Sequence, residues 1–185
     1  MKYIGPKISC QEKGRDFSIV IDARGERYEQ ALLWIWVSIW FGVGIYFASY
    51  LFIDADYVTR EFELFVFVFM AFWAFYFIKA FGMALWRSKG YESLFFTEDK
   101  LILTRYNGLR FKRDTFFNRN IEDFEKLDVK TKSVMNAYYS GFWVKGLDLL
   151  SFKYQGKKVS FAKQLDRDAA DALYKLVRKL IKGYK

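Results

Sequence analysis

Hydrophobic positions follow two different patterns along this chain, one continuous and one alternating. Residues 31–53 (ALLWIWVSIWFGVGIYFASYLFI) and 64–86 are apolar runs of about 23 positions each, and Lys79 is the single charge within them. At a rise of about 1.5 Å per residue, a helix of that length crosses a hydrocarbon core of about 30 Å. Each run therefore predicts a transmembrane helix. Trp34, Trp36 and Tyr50 lie near the ends of the first, where amphipathic rings favour the headgroup level. Lys79 lies close enough to the end of the second to read as a snorkelling anchor, its alkyl stem carrying the ammonium toward the headgroups. The segment between them, about ten residues, leaves no room for a domain. The first run is too long for a secretory signal and has no small-residue cleavage pattern after it.

Elsewhere apolar and polar residues alternate in short stretches. Phe17-Ser18-Ile19-Val20-Ile21, between Gly14 and Gly25, predicts a strand within an N-terminal segment 1–30. Residues 90–185 predict a strand-rich domain, with β runs at 93–96, 101–106 and 109–117 and a type I′ hairpin at Asn107-Gly108. Residues 121–131 place Ile121, Phe124, Leu127 and Val129 inward. Further strands are predicted at 138–144, 147–154 and 157–161, the last two joined across Gln155-Gly156. The chain closes with an amphipathic helix capped by Asp166. Ala169, Leu173, Leu176, Val177 and Leu180 form its apolar face, and Lys175, Arg178, Lys179 and Lys182 lie opposite. The predicted layout is a transmembrane hairpin over 31–86 with an α+β domain beside it.

Charge gives that layout a direction. Lys13, Arg15, Arg24 and Arg27 precede the first run, Arg87 and Lys89 follow the second, and the connecting segment carries Arg60. The positive-inside bias puts both ends and all folded mass on the cytoplasmic face. The net charge of +9 favours a polyanionic neighbour. With two spans present, that neighbour is an anionic lipid leaflet rather than nucleic acid.

Candidate chemistry is sparse. The chain has no histidine, which removes the commonest general base and metal ligand, so neither catalysis nor a metal or cofactor is expected. Cys10 is the single cysteine and reads as a small apolar residue. Gly156-Lys157-Lys158 lacks the upstream glycine of a phosphate loop, and Glu98-Asp99 and Glu122-Asp123 read as solvated charge.

About seven short strands followed by one amphipathic helix is the element order of a pleckstrin-homology-like barrel. Residues 91–131 resemble the start of bacterial PH-like membrane proteins, through Phe96-Thr97-Glu98-Asp99-Lys100-Leu101 and the step Ile121-Glu122-Asp123. The whole layout is also similar to the two-transmembrane photosystem I assembly factors, which share the Gly90-Tyr91-Glu92 step after the second helix. Asn107-Gly108 stands where those proteins are expected to carry proline-glycine. The second likeness implies shared architecture, not a photosynthetic role. Together the resemblances imply a bacterial inner-membrane protein with a cytoplasmic PH-like β-barrel closed by the C-terminal helix.

Three sets of residues are candidate contacts. Arg105, Arg110, Lys112 and Arg113 around the hairpin, with Arg87 and Lys89 at the helix end, are expected at anionic headgroups. Tyr138, Tyr139, Phe142 and Trp143 form an aromatic segment that is a docking surface if exposed and barrel core if buried. Gly42, Gly44 and Ala48 on the first helix, and Ala71 and Ala74 on the second, are expected to let the helices approach. Two helices so rich in bulky aromatics cannot bury them all against each other, so lipid or another membrane subunit must cover the rest. These features point to a non-catalytic adaptor, accessory subunit or assembly factor, partnered by an integral membrane complex or a second copy of the chain. The alternative is a lipid sensor in which Arg110, Lys112 and Arg113 converge on a concave pocket.

Overall fold

The structure is a computed structural model that describes residues 2–52, 59–127, 147–163 and 165–184, with the side chains of Lys2 and Tyr3 excepted. The strand expected at 138–144, the inward Val129 and the four aromatic docking candidates Tyr138, Tyr139, Phe142 and Trp143 lie outside the described residues.

In chain order the elements are β1 (Lys2–Tyr3), β2 (Ile8–Lys13), β3 (Asp16–Asp22), α1 (Arg27–Ser49), α2 (Arg60–Lys89), β4 (Tyr91–Phe96), β5 (Lys100–Tyr106) and β6 (Phe111–Phe117). A short 3-10 turn (Asn118–Asn120) leads to β7 (Ile121–Lys126), and β8 (Asp148–Tyr154), β9 (Lys157–Lys163) and α3 (Arg167–Gly183) follow. The strands form two antiparallel sheets, a six-stranded one in the order β1-β2-β3-β4-β5-β6 and a three-stranded one in the order β7-β8-β9. Both are open, which corrects the expectation of a closed barrel. At the end of β6 the backbone N–H of Asn118 donates to Asp99 O at 2.9 Å, and its buried carboxamide donates to Thr97 O at 2.9 Å. These bonds tie the chain to the β4–β5 turn and end its run along the first sheet, leaving β7 to pair with β8.

The N-terminal strand belongs to the main sheet. β3 pairs with β4 from Phe17↔Phe96 to Asp22↔Tyr91, so the two long helices are an insertion between neighbouring strands. Alternation explains the core. Ile19, Ile21, Leu94, Phe96, Leu101, Leu103 and Phe116 all point to one face of the six-stranded sheet and are buried there. Leu150, Phe152 and Phe161 of the second sheet and Ala170, Leu173 and Val177 of α3 complete the same cluster. Burying each large side chain contributes about 1.5–3 kcal/mol before entropy is subtracted. Asp166 caps α3 by accepting from Ala169 N at 2.7 Å, and Lys175, Arg178, Lys179 and Lys182 lie on its exposed face.

Both α1 and α2 are long and apolar enough to cross a membrane, and most of their surface is exposed. Both helices start four residues before their apolar runs because polar caps add a turn; α2 also continues past its run to Lys89, whereas α1 ends at Ser49, inside its run. Glu29 accepts from Glu26 N at 3.3 Å to start α1, and Thr59 accepts from Phe62 N at 3.3 Å to start α2. Trp73 Nε1 donates to Trp40 O and Trp34 Nε1 to Ser88 Oγ, each at 2.9 Å, bonding helix to helix. Gly44 is the close approach: a Cβ there would lie 2.0 Å from the Trp73 ring. Gly42 faces open space and Ala71 is exposed, while Ala48 and Ala74 are half-buried. The five small residues are thus not one packing stripe, because positions two apart in a helix differ by about 200° in direction.

Replacing Gly44 with Ala should lower the stability of the helical hairpin in detergent by about 1–3 kcal/mol through overpacking against Trp73, whereas Gly42→Ala should leave the melting temperature unchanged or slightly raised. Equal effects from the two variants would show that Gly44 does not carry the helix contact.

Candidate functional site

The sheet end nearest the helices is where distinctive chemistry collects. Two short connections fix that end: residues 23–26 lead into α1, and Gly90 alone links α2 to β4. Ala23 N donates to Gly90 O and Gly25 N to Arg87 O, each at 3.1 Å, so the strand pairing continues into the bases of both helices. Gly90 is needed because a Cβ there would lie 2.4 Å from Trp86 O. At Gly25 a Cβ would meet only the end of the Glu29 side chain, at 2.8 Å, which can shift. Arg87 is buried and pairs with Glu29 at 3.6 Å, closing a polar collar around the junction.

On the inner face of the sheet, register aligns Ile21, Glu92, Arg105 and Lys112 in one row across β3 to β6. Glu92 is 1% exposed. Its Oε2 accepts from the backbone N–H of Ala162 at 2.6 Å and of Lys163 at 3.3 Å, and Arg105 Nε stands 3.5 Å from its Oε1. Burial pushes the Glu92 carboxyl above its ordinary value, against the Ala162 N–H and the Arg105 and Lys163 charges, which favour ionisation, while Asp148 adds to the upward push. Arg105 also reaches Asp114 at 3.5 Å and donates to Ser160 O at 2.6 Å. The pair therefore joins the two sheets as well as two strands. Lys112 meets Asp114 at 3.5 Å, and Ser160 Oγ donates to Asp148 at 3.0 Å. This network fastens the two sheets to each other.

The outer face at the same end differs. Asp22, Tyr91, Tyr106 and Phe111 make the matching row, with Tyr91 and Tyr106 rings 5.5 Å apart and Tyr106 and Phe111 stacked at 4.3 Å. Beside this row lies an open groove of about 750 Å³ between the last turn of α2 and the sheet, lined by Lys7, Ser9, Arg24, Ser88, Lys89 and Ser93 among others. Arg24 is bound to Asp22 at 2.6 Å, and Lys7 and Lys89 are the groove's other cations.

The six cations expected at headgroups divide by position. Arg87 and Arg105 are committed inside the protein, to Glu29 and to Glu92, Asp114 and Ser160. Arg110, Lys112, Arg113 and Lys89 are exposed. Lys112 pairs across from Arg105 and Arg113 across from Thr104, so these neighbours point to opposite faces of β6 and do not converge on one pocket. The hairpin also differs from the type I′ expectation. Asn107 Oδ1 accepts from Leu109 N at 3.1 Å and Arg110 N at 2.8 Å, which stabilises a four-residue loop from Asn107 to Arg110 with the positive φ at Gly108. Gln155 and Gly156, with φ of 51° and 76°, form the tight turn between β8 and β9.

Sequence reasoning missed the buried Glu92 and the groove residues Lys7, Ser9 and Ser93. Glu92 had a signal: it shares its strand face with Leu94 and Phe96, so an acid stands in an inward row of apolar residues. The groove had none, because it forms where β2, β3, β4 and the end of α2 meet. No protein-family description matches the chain, and no curated protein matches it.

A raised carboxyl pKa means that the folded state holds its proton to higher pH than the unfolded chain, so this group's stabilising contribution is full below the ordinary value of 4.5 and declines as pH rises from there toward the folded value. Glu92→Gln should therefore gain in melting temperature relative to wild type as pH is raised above 4.5. A difference that stays flat or shrinks over that range would contradict the upward shift.

Proposed function

We propose that this protein spans a bacterial inner membrane twice, with its sheets and α3 on the cytoplasmic side. In this reading it acts without catalysis, as an adaptor, accessory subunit or assembly factor of a larger membrane complex. The membrane reading rests on the length and apolar surface of α1 and α2. The sidedness rests on the basic residues Lys13, Arg15, Arg24, Arg27, Arg87 and Lys89, against Arg60 at the other end. The pairing of β3 with β4 adds that both helices enter from the same place.

The observation that carries the adaptor reading is the outward face of α2. Phe65, Val68, Phe72, Phe75 and Tyr76 are exposed there at helical spacing, and Lys79 is exposed among them. Its ammonium lies 5.5 Å from the Phe75 ring centroid, one turn back toward the start of α2 rather than forward toward the helix end. That direction follows from the tilt of helical side chains toward the N-terminus. A cation at the centre of a membrane helix costs about 2.5–3.5 kcal/mol on insertion scales, an upper bound for Lys79, which lies between the middle and the end of the apolar run, and a cation–π contact offsets part of that cost. A partner helix that presents an acidic side chain and covers the aromatic stripe resolves both mismatches at once.

A second reading, recognition of an anionic lipid headgroup, is favoured by the groove at Lys7, Ser9, Ser88, Lys89 and Ser93, which lies where α2 leaves its apolar stretch.

The test is purification of the tagged chain from its native host in mild detergent. Wild type should bring down one membrane assembly at fixed stoichiometry, and Lys79→Leu should lose it while the isolated chain stays folded. A Lys79→Leu chain that keeps the assembly would remove this face as the dock. A wild-type chain that purifies alone with one selectively retained anionic lipid would replace the adaptor reading with the headgroup reading.

A further inference from the structure

We infer that the tip of the β5–β6 hairpin is a wedge that enters the bilayer interface, with Leu109 and Phe111 among the acyl chains beside α2. The inference rests on the two-span reading and adds a second, non-helical membrane contact to it. Gly108 fixes the position of the tip. It is buried, with φ of 94°, and a Cβ there would lie 3.0 Å from both the Cβ and the carbonyl oxygen of Leu85. Leu85 lies four residues before Lys89, the last residue of α2, and thus about 6 Å back along the axis, within the apolar run. The hairpin tip is therefore level with the apolar part of the helix, not with its polar end.

What the tip presents fits that level. Leu109 and Phe111 are large apolar side chains at the tip, 67% and 66% exposed. The Phe111, Tyr106 and Tyr91 rings form a row across β6, β5 and β4 at the base of the loop, and tyrosines favour the headgroup level. Arg110 and Lys112 are exposed beside the apolar pair, where their charges can meet lipid phosphates while their stems run through the interface.

The tip is also preorganised. Asn107 Oδ1 accepts two loop N–H groups, and the Tyr106 hydroxyl donates to Gly108 O at 2.8 Å. Insertion therefore orders no floppy loop. The occupant is lipid rather than a protein groove, because the contact with Leu85 sets the tip against a membrane span, and cations flank the apolar residues as an anionic leaflet requires.

The test uses the full chain reconstituted in phosphatidylcholine–phosphatidylglycerol vesicles, carrying Cys10→Ser and one environment-sensitive fluorophore on an introduced cysteine. The probe sites are Leu109→Cys, Ile78→Cys within α2 and Lys157→Cys in the distant β8–β9 turn, with Phe111→Cys as a second tip site should the first variant misfold. Lipids bearing a spin-label quencher high on the acyl chain should quench the tip and Ile78 probes several-fold more than the Lys157 probe. Quenching at Ile78 with the tip probe no more quenched than Lys157 would overturn the wedge and leave the two spans standing. Absence of quenching at Ile78 would overturn the two-span reading itself.

Discussion

The hydrogen-bonded closure of β3 onto β4 is the constraint on which the rest of the structure depends. Two helices of 23 and 30 residues are inserted between these neighbouring strands, and their bases must meet at strand spacing. The bonds from Ala23 N to Gly90 O and from Gly25 N to Arg87 O carry the pairing to the helix ends. Each such bond is worth about 0.5–1.5 kcal/mol net, but their geometric effect is larger. With a single residue between α2 and β4, the sheet cannot swing freely beneath the helices. Whatever the helices bind laterally is thereby placed at a fixed position relative to the sheet.

That fixed coupling gives the charged residues two separate uses. Glu92, Arg87 and Arg105 are spent inside, fastening sheet to sheet and helix to helix base, and removing one partner of such a pair leaves a buried charge uncompensated. Lys7, Lys89, Arg110, Lys112 and Arg113 stay outside, around the same junction. In the proposed two-span arrangement, basic residues near an anionic surface would contribute about 1 kcal/mol each.

Much of this architecture was legible in the sequence where one physical rule dominates. Unbroken apolar length marked α1 and α2, alternation marked β3 through β6 and β8 and β9, and the Asp166 cap with its apolar stripe marked α3. The closed barrel was not legible correctly, because sheet closure depends on Asn118 bonding back to Thr97 and Asp99, and no local pattern encodes that. The Asn107-Gly108 pair suggested the two central residues of a type I′ turn, yet only Gly108 of the pair has a positive φ, and the Asn107 carboxamide instead accepts from two later N–H groups while Asn107 N–H donates to Arg110 O. Gly42, Gly44 and Ala48 looked alike in sequence, although the helix rotates Gly42 away from the face where Gly44 meets Trp73. Charge alone could not separate Arg87 and Arg105 from Arg110 and Arg113, since burial is decided by strands distant in the chain.

The β3–β4 register beneath the helices is tested most directly by site-directed disulfide mapping in membranes. With Cys10→Ser as background, Val20→Cys and Ser93→Cys face each other in register on the outer side of the sheet, at a separation a disulfide spans. Mild oxidation should link residues 20 and 93 within one chain, read by peptide mass. The diagonal pair Val20→Cys and Phe95→Cys should link far less, since diagonal neighbours lie about 7–8 Å apart. Efficient linkage of the diagonal pair, or of neither, would contradict the closure of β3 on β4 and with it the rigid coupling of helices to sheet.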